Sequence, residues 1–148
     1  MMPAPWAYVD TSVLLKRYVK EAGSADARRL LRRYRVLSSA IAPVEATSAL
    51  WRRRAVGDVS DADLQAILGR LAGDRSHWEL VDLTADVLDQ AELVIQRAGV
   101  RTLDAVHLAS ALVVRATSGR RPAARFITAD ARQRDAAVGL GLQVTWVG

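Results

Sequence analysis

Apolar residues occur along this chain in short clusters, and the spacing within each cluster separates strands from helices. Tyr8 and Val9 close a brief apolar run suited to a buried strand. Val13, Leu14 and Tyr18 then recur at helical spacing and predict a helix over 11–19, with Thr11 or Ser12 as its cap. A break at residues 21–24 leads to a second helix over 25–33, capped by Ser24, whose apolar side is Leu30, Leu31 and Tyr34. Residues 36–41 read as a second strand. Pro43 suits the first turn of a helix over 44–56, because its missing N–H costs nothing there, and Gly57 ends it. Ser60 opens a further helix, with Asp63 three residues on and Leu64, Ile67, Leu68 and Leu71 at helical intervals.

Residues 78–83 alternate enough to form a third strand. Thr84 caps a helix reaching residue 98, with Val87, Leu88, Ala91, Val94 and Ile95 as its apolar stripe and Gly99 as its end. Thr102 caps a helix over 103–117 that is apolar on most sides, as suits a helix packed on several neighbours. A polar loop at 118–122, a fourth strand at 125–128 and a short helix at 131–138 follow, and Gly139 and Gly141 bracket the turn into a last strand at 142–147. Strands separated by helices pair in parallel through right-handed crossovers, with helices on both faces. The pattern predicts an α/β fold of three layers, α/β/α, around a central parallel sheet of four to five strands, in one domain spanning 1–148.

Length and composition agree with that picture. A chain of 148 residues buries roughly two thirds of its unfolded surface, enough for a core without staples. Cysteine is absent, which excludes disulfides, thiolate zinc sites and a cysteine nucleophile, and two histidines remain as nitrogen ligands. The amino-terminal residues lack a basic start and carry Asp10, a poor signal peptide. The longest mostly apolar stretch, 105–114, contains His107 and Ser110 and falls well below the ~20 residues a membrane helix needs. A soluble protein of the cytoplasm, without membrane contact, is expected.

Charge adds a partner. Of 21 basic side chains 19 are arginine, against 16 acids, for a formal charge of +5. Arginine grips phosphate with a planar fork, so an anionic partner such as RNA is favoured, although a bias toward Arg and Ala gives the same surplus with no ligand.

Chemistry enters with the placement of certain acids. Asp10 ends the first strand, Glu45 lies in the first turn of the helix after the second, Asp104 in the first turn after Thr102, and Asp130 just past the fourth strand. Each falls at the end of its element that faces one edge of a parallel sheet, the edge where open α/β sheets bind ligands. Taken singly, such acids complement helix dipoles, worth ~0.3 to 1 kcal/mol each. Together they repel one another, and a hard divalent ion relieves that repulsion; with oxygen donors and no thiolate, Mg²⁺ or Mn²⁺ is expected. Such a site can ionise water for in-line attack on a phosphodiester. His107, one turn past Asp104, is either a core histidine or a ligand or proton shuttle on nearly the same helix face. Trp51 and Trp146 suit a core or an interface.

With these residues in view the chain resembles the PIN-domain ribonucleases, and among them the VapC toxins of type II toxin–antitoxin modules. The likeness rests on VDTSVLLKRY at 9–18, Glu45 in a first helical turn, RTLDAVHLASAL at 101–112 and FITAD at 126–130, in that order over nearly the whole chain. The resemblance implies a PIN-like fold, Mg²⁺- or Mn²⁺-dependent hydrolysis of RNA, homodimers, and a cognate VapB-like antitoxin that blocks the site. It implies Asp10 and Asp104 as direct metal ligands, with Glu45 and Asp130 completing the acidic pocket through water or a second ion. It assigns Thr128 to orienting a ligand or water, and Thr11 and Ser12 to turn formation and site support. Asp135, close to Asp130, is the other acid that could complete the pocket.

Two other readings make different demands. A hydrolase with a nucleophilic aspartate wants a second acid two residues after the first, where Ser12 stands. A receiver domain needs paired early acids and a late lysine, and no lysine follows Lys20. The alternative of another class is a non-catalytic, arginine-rich RNA-binding or scaffold module with incidental acids.

Overall fold

Five short strands build the centre of the computed structural model: β1 (Trp6–Val9), β2 (Arg35–Ser39), β3 (Glu79–Val81), β4 (Arg125–Thr128) and β5 (Val144–Trp146). They pair in parallel in the order β3-β2-β1-β4-β5. The structure describes residues 2–117 and 124–148, so the loop expected at 118–122 lies outside the described residues. Among the described residues, seven helices join the strands: α1 (Thr11–Leu15), α2 (Ser24–Arg33), α3 (Ala42–Ala55), α4 (Asp61–Arg75), α5 (Ala85–Ala98), α6 (Thr102–Thr117) and α7 (Ala131–Gly139). Among the described residues, no helix is long and apolar enough to cross a membrane.

Strand alternation sorts the core into two sides. Tyr8 pairs in register with Leu37 and Phe126, and these three enter one cluster with Val87, Ala91 and Val94 of α5 and Leu108 of α6. The Tyr8 and Phe126 rings stack there, centroids 5.5 Å apart. Ala7, Val9, Val36 and Ile127 face the other way, onto Val13 and Leu14 of α1, Ala27 and Leu30 of α2, and Ala42 of α3. A third cluster, Leu50 of α3 against Leu64, Ile67 and Leu71 of α4, closes the layer beyond it. This is the expected three-layer arrangement with a parallel sheet. From β1 the chain steps outward to β2 and β3, then returns to add β4 and β5 on the other side of β1. The strand order therefore reverses between β1 and β4, and their carboxyl ends frame the crevice such sheets use for ligands.

Several element ends differ from the sequence expectation, each for a local reason. The first helix stops at Leu15 instead of reaching residue 19, because the backbone tightens to three-residue bonds, Lys16 N–H to Val13 O and Arg17 N–H to Leu14 O. Ser24 does not cap α2; it is buried as the first helical residue, donating to Val19 O and accepting from Glu21 N–H. Gly23 takes the cap position at φ 81°, where a Cβ would also stand 3.0 Å from Val147 Cγ1. Thr102 is likewise the first helical residue and the Arg101 carbonyl accepts the first bond of α6, from Ala105 N–H. Ser60 and Thr84 cap α4 and α5 as expected, accepting from Asp63 N–H and Val87 N–H. The strands expected at 36–41, 78–83 and 142–147 are each shorter.

Leu50 is fully buried between α3 and α4, so its truncation tests the outer layer. Leu50→Ala is expected to cost about 2–5 kcal/mol in urea unfolding, through lost transfer energy and the cavity left behind.

Candidate active site

Asp10 is the first residue past β1, and its N–H continues the sheet ladder by donating to Ile127 O at 3.0 Å. The residue is 6% exposed, and its side chain does not cap α1. Oδ2 instead accepts from Thr128 Oγ1 at 2.8 Å and from Ser12 Oγ at 3.1 Å. Burying a carboxylate costs several kcal/mol unless it is bonded, and these two hydroxyls offset that cost on one oxygen. Each hydroxyl also accepts in turn, Ser12 Oγ from Ala129 N–H and Thr128 Oγ1 from Asp130 N–H, both at 3.1 Å. The start of α1 and the end of β4 are thereby tied together around one acid.

Glu45, in the first turn of α3, reaches the same place from the other side. Its Oε1 lies 2.8 Å from Thr11 Oγ1, which donates to it, and 2.6 Å from His107 Nε2. A carboxylate only accepts, so Nε2 carries the proton, and in the neutral ring Nδ1 is left to accept from the Tyr8 hydroxyl at 2.9 Å. His107 is fully buried with both nitrogens engaged, and its Nε2 stands 3.7 Å from Asp10 Oδ1. Burial by itself disfavours the imidazolium. The bond to Glu45 and the charges of Asp10, Glu45 and Asp104 outweigh it, so the histidine pKa is raised above 6.5.

Asp104, in the first turn of α6, keeps a side chain 27% exposed, 4.0 Å from Arg101 Nε. Its pKa is raised above the ordinary carboxyl value by partial burial first, then by the negative charges of Asp10 and Asp130, against the pull of Arg101 and His107. Asp10 and Asp130 therefore both lie within electrostatic reach of Asp104. Asp130 caps α7, its Oδ1 accepting from both Arg132 N–H and Gln133 N–H, at 2.8 and 3.3 Å. Asp135 is exposed and bonded to Arg134 at 3.0 Å, and it lines a surface cleft that Asp104 also borders.

The donor set suits a hard divalent cation: carboxylate oxygens only, with mutual repulsion felt at Asp104. Asp10 and Asp130 each commit one oxygen to internal bonds, Oδ2 and Oδ1 respectively. Among the described residues no three His, Asp or Glu side chains already form a group that could hold a metal ion, and Glu45 is committed to His107.

Some residues of the site carry no sequence signal. Tyr8 reads as a strand residue, yet its hydroxyl orients His107. Gln133 is fully buried and donates from Nε2 to Asp104 O at 3.0 Å, which fixes the first turns of α6 and α7 together. Trp51 and Trp146, expected in a core or interface, remain 48% and 49% exposed, with Arg54 and Arg134 over their rings.

The family model for the PIN domain matches residues 7–139, nearly the whole of this sheet and its acids. The chain belongs to the PIN-domain family. It is 36% identical over 140 residues to Ribonuclease VapC46 of Mycobacterium tuberculosis strain H37Rv, covering 93% of this chain and 94% of that protein. Its fold is similar to that of a toxin–antitoxin complex from Klebsiella pneumoniae, with TM-score 0.67, 16% identity and 94% and 95% of the two chains covered. It is also similar to VapBC2 from Rickettsia felis bound to a DNA fragment from their promoter, with TM-score 0.63, 13% identity and 96% and 98% covered. PAE2754 from Pyrobaculum aerophilum is a third, with TM-score 0.64, 21% identity and 97% and 90% covered.

The raised pKa of His107 has a sign. Its contribution to stability is complete below 6.5 and is lost as pH rises through the folded-state value. Thermal unfolding followed from pH 6.5 upward should therefore show a steeper loss for the native chain than for Glu45→Gln, which lacks the charge that holds the imidazolium. Parallel slopes would mean the ring stays neutral throughout.

Proposed function

We propose that this chain is a metal-dependent endoribonuclease, the VapC-like toxin of a toxin–antitoxin pair, that hydrolyses RNA phosphodiester bonds with Mg²⁺, or Mn²⁺ in its place. The observation that carries this is the gathering of acids at the switch point of the sheet, where Asp10 and Asp130 meet at Thr128 and both act on Asp104. A relative 36% identical over nearly the full length and named a ribonuclease supports it. The toxin–antitoxin complex and VapBC2 among the fold relatives support a VapB-like antitoxin as partner. A homodimer working in the cytoplasm is part of the same reading.

Asp10, Asp104 and Asp130 would hold the ion, with Glu45 closing the acidic pocket. A divalent ion bound there supplies positive charge against the phosphate and makes a water acidic enough to attack at neutral pH. In hydrolysis the water oxygen bonds to phosphorus, the phosphorus–oxygen bond to one ribose opens, and the departing oxygen takes up a proton. Thr128 and Ser12 fix Asp10 through Oδ2 and leave Oδ1 for a ligand. Thr11 and His107 hold Glu45, and Tyr8 holds His107. Asp104, with its raised pKa, takes a proton more readily than an ordinary carboxylate.

Asp10→Asn and Asp104→Asn should remove RNA cleavage, and the toxicity of the expressed chain, while circular dichroism shows an intact fold. Thr128→Val, which deletes one of the two hydroxyls on Asp10, should lose about 10- to 100-fold in activity or metal affinity. EDTA should stop cleavage and Mg²⁺ restore it. A non-catalytic arginine-rich RNA-binding module would keep its RNA affinity in EDTA and be indifferent to Asp10→Asn; cleavage unchanged in either aspartate variant would overturn the enzymatic reading.

A further inference from the structure

A cleft of about 510 Å³ opens beside Asp104, between the α5–α6 connection and the outer side of α7. Its α7 wall is Arg132, Asp135, Ala136, Gly139 and Leu140, one face of the helix at three- and four-residue steps. Eight residues of α-helix rise about 12 Å, so the cleft leads from the acidic site along the surface for that distance. The opposite wall carries Arg97 and Arg101, and both are exposed. Among the described residues no acid pairs with Arg97 or Arg132, and Arg101 makes only the long contact to Asp104. Three guanidinium groups thus line the cleft that Asp104 borders, while Val100, Ala136 and Leu140 are half-buried and give it an apolar floor.

We propose that this cleft receives an unpaired nucleotide of the RNA next to the scissile phosphate, its base lying on Val100, Ala136 and Leu140 and its phosphates held by Arg97, Arg101 and Arg132. Cationic walls alone would serve any polyanion. An apolar floor below them suits a base that has left its stack, and single-stranded recognition combines these two features. A base paired in a duplex keeps its faces inside the stack and cannot lie on that floor. Asp135 and Asp104 on the same walls repel a phosphate that lies too deep, which leaves the arginine rim as the track for the backbone. The arginine surplus of the chain thereby divides into a group with a stated task and a group without one. Arg28 and Arg29 of α2 belong to the second, since α2 packs on the opposite face of the sheet from α5, α6 and α7.

This inference rests on the ribonuclease reading, so its test is made on binding, separately from cleavage. In an Asp10→Asn background, which is expected to hold RNA uncut, the affinity for a fluorescent single-stranded oligoribonucleotide and for its duplex is measured across a salt series. The single strand should bind at least about tenfold tighter than the duplex. Arg97→Gln with Arg132→Gln should weaken the single strand by about tenfold or more and make the salt dependence shallower by nearly two phosphate contacts. Arg28→Gln with Arg29→Gln should change neither. Equal affinity for strand and duplex, unchanged binding in the Arg97/Arg132 variant, or an equal loss in the Arg28/Arg29 variant would each overturn the proposed subsite. A native chain that leaves RNA uncut with Mg²⁺ present would instead overturn the ribonuclease reading, whatever the binding arms show.

Discussion

Everything at this site depends on holding the carboxylate of Asp10 almost out of water at the end of the central strand. An isolated carboxylate at 6% exposure would be neutralised or would force the structure open. Two hydroxyl donors on Oδ2 prevent that, and both come from positions the backbone has already fixed: Ser12 in the first turn of α1 and Thr128 at the end of β4. The same hydroxyls accept the Ala129 and Asp130 N–H groups, so the acid, the strand pair and the entrance to α7 form one hydrogen-bonded unit. Asp130 then sits where a helix start requires an acceptor, and the acid that caps α7 is delivered to the neighbourhood of Asp10 by that requirement.

A second bonded chain crosses the layers. Tyr8 on β1, His107 on α6, Glu45 on α3 and Thr11 on α1 bond in sequence, from the buried sheet face to the mouth of the site. His107 serves here as the buried junction between two carboxylates, 2.6 Å from Glu45 and 3.7 Å from Asp10. Among the described residues, the Asp104 carboxylate has only the 4.0 Å contact to Arg101, and partial burial first, then the charges of Asp10 and Asp130, raise its pKa. Asp104 is also the acid of the site that borders the cleft lined by Arg97, Arg101 and Arg132.

Much of this is legible in the amino-acid sequence. The strand at Arg125–Thr128 and the acids that follow the strands are legible because short apolar runs ending in an acid or hydroxyl have few other uses in a parallel sheet. The caps of α4 and α5 are legible for the same local reason, since a hydroxyl three residues before a free N–H needs nothing else. Ser24 and Thr102 mislead by one position, because their helices begin a residue earlier than a hydroxyl cap implies; at α2 this is the left-handed turn at Gly23, against Val147. The pairing of Tyr8 with His107, 99 positions apart, and of His107 with Glu45, 62 apart, leaves no mark in local pattern. Gln133 is similar: a polar residue on a short helix looks solvent-facing until α6 is packed across it.

The central claim is that acids distant in sequence converge to seat one hard cation. Anomalous diffraction at the manganese edge, from crystals grown with Mn²⁺, places such an ion directly. A peak bounded by Asp10, Asp104 and Asp130 is the expected result; manganese bound only elsewhere on the surface, with those three carboxylates empty at saturating concentration, would contradict it.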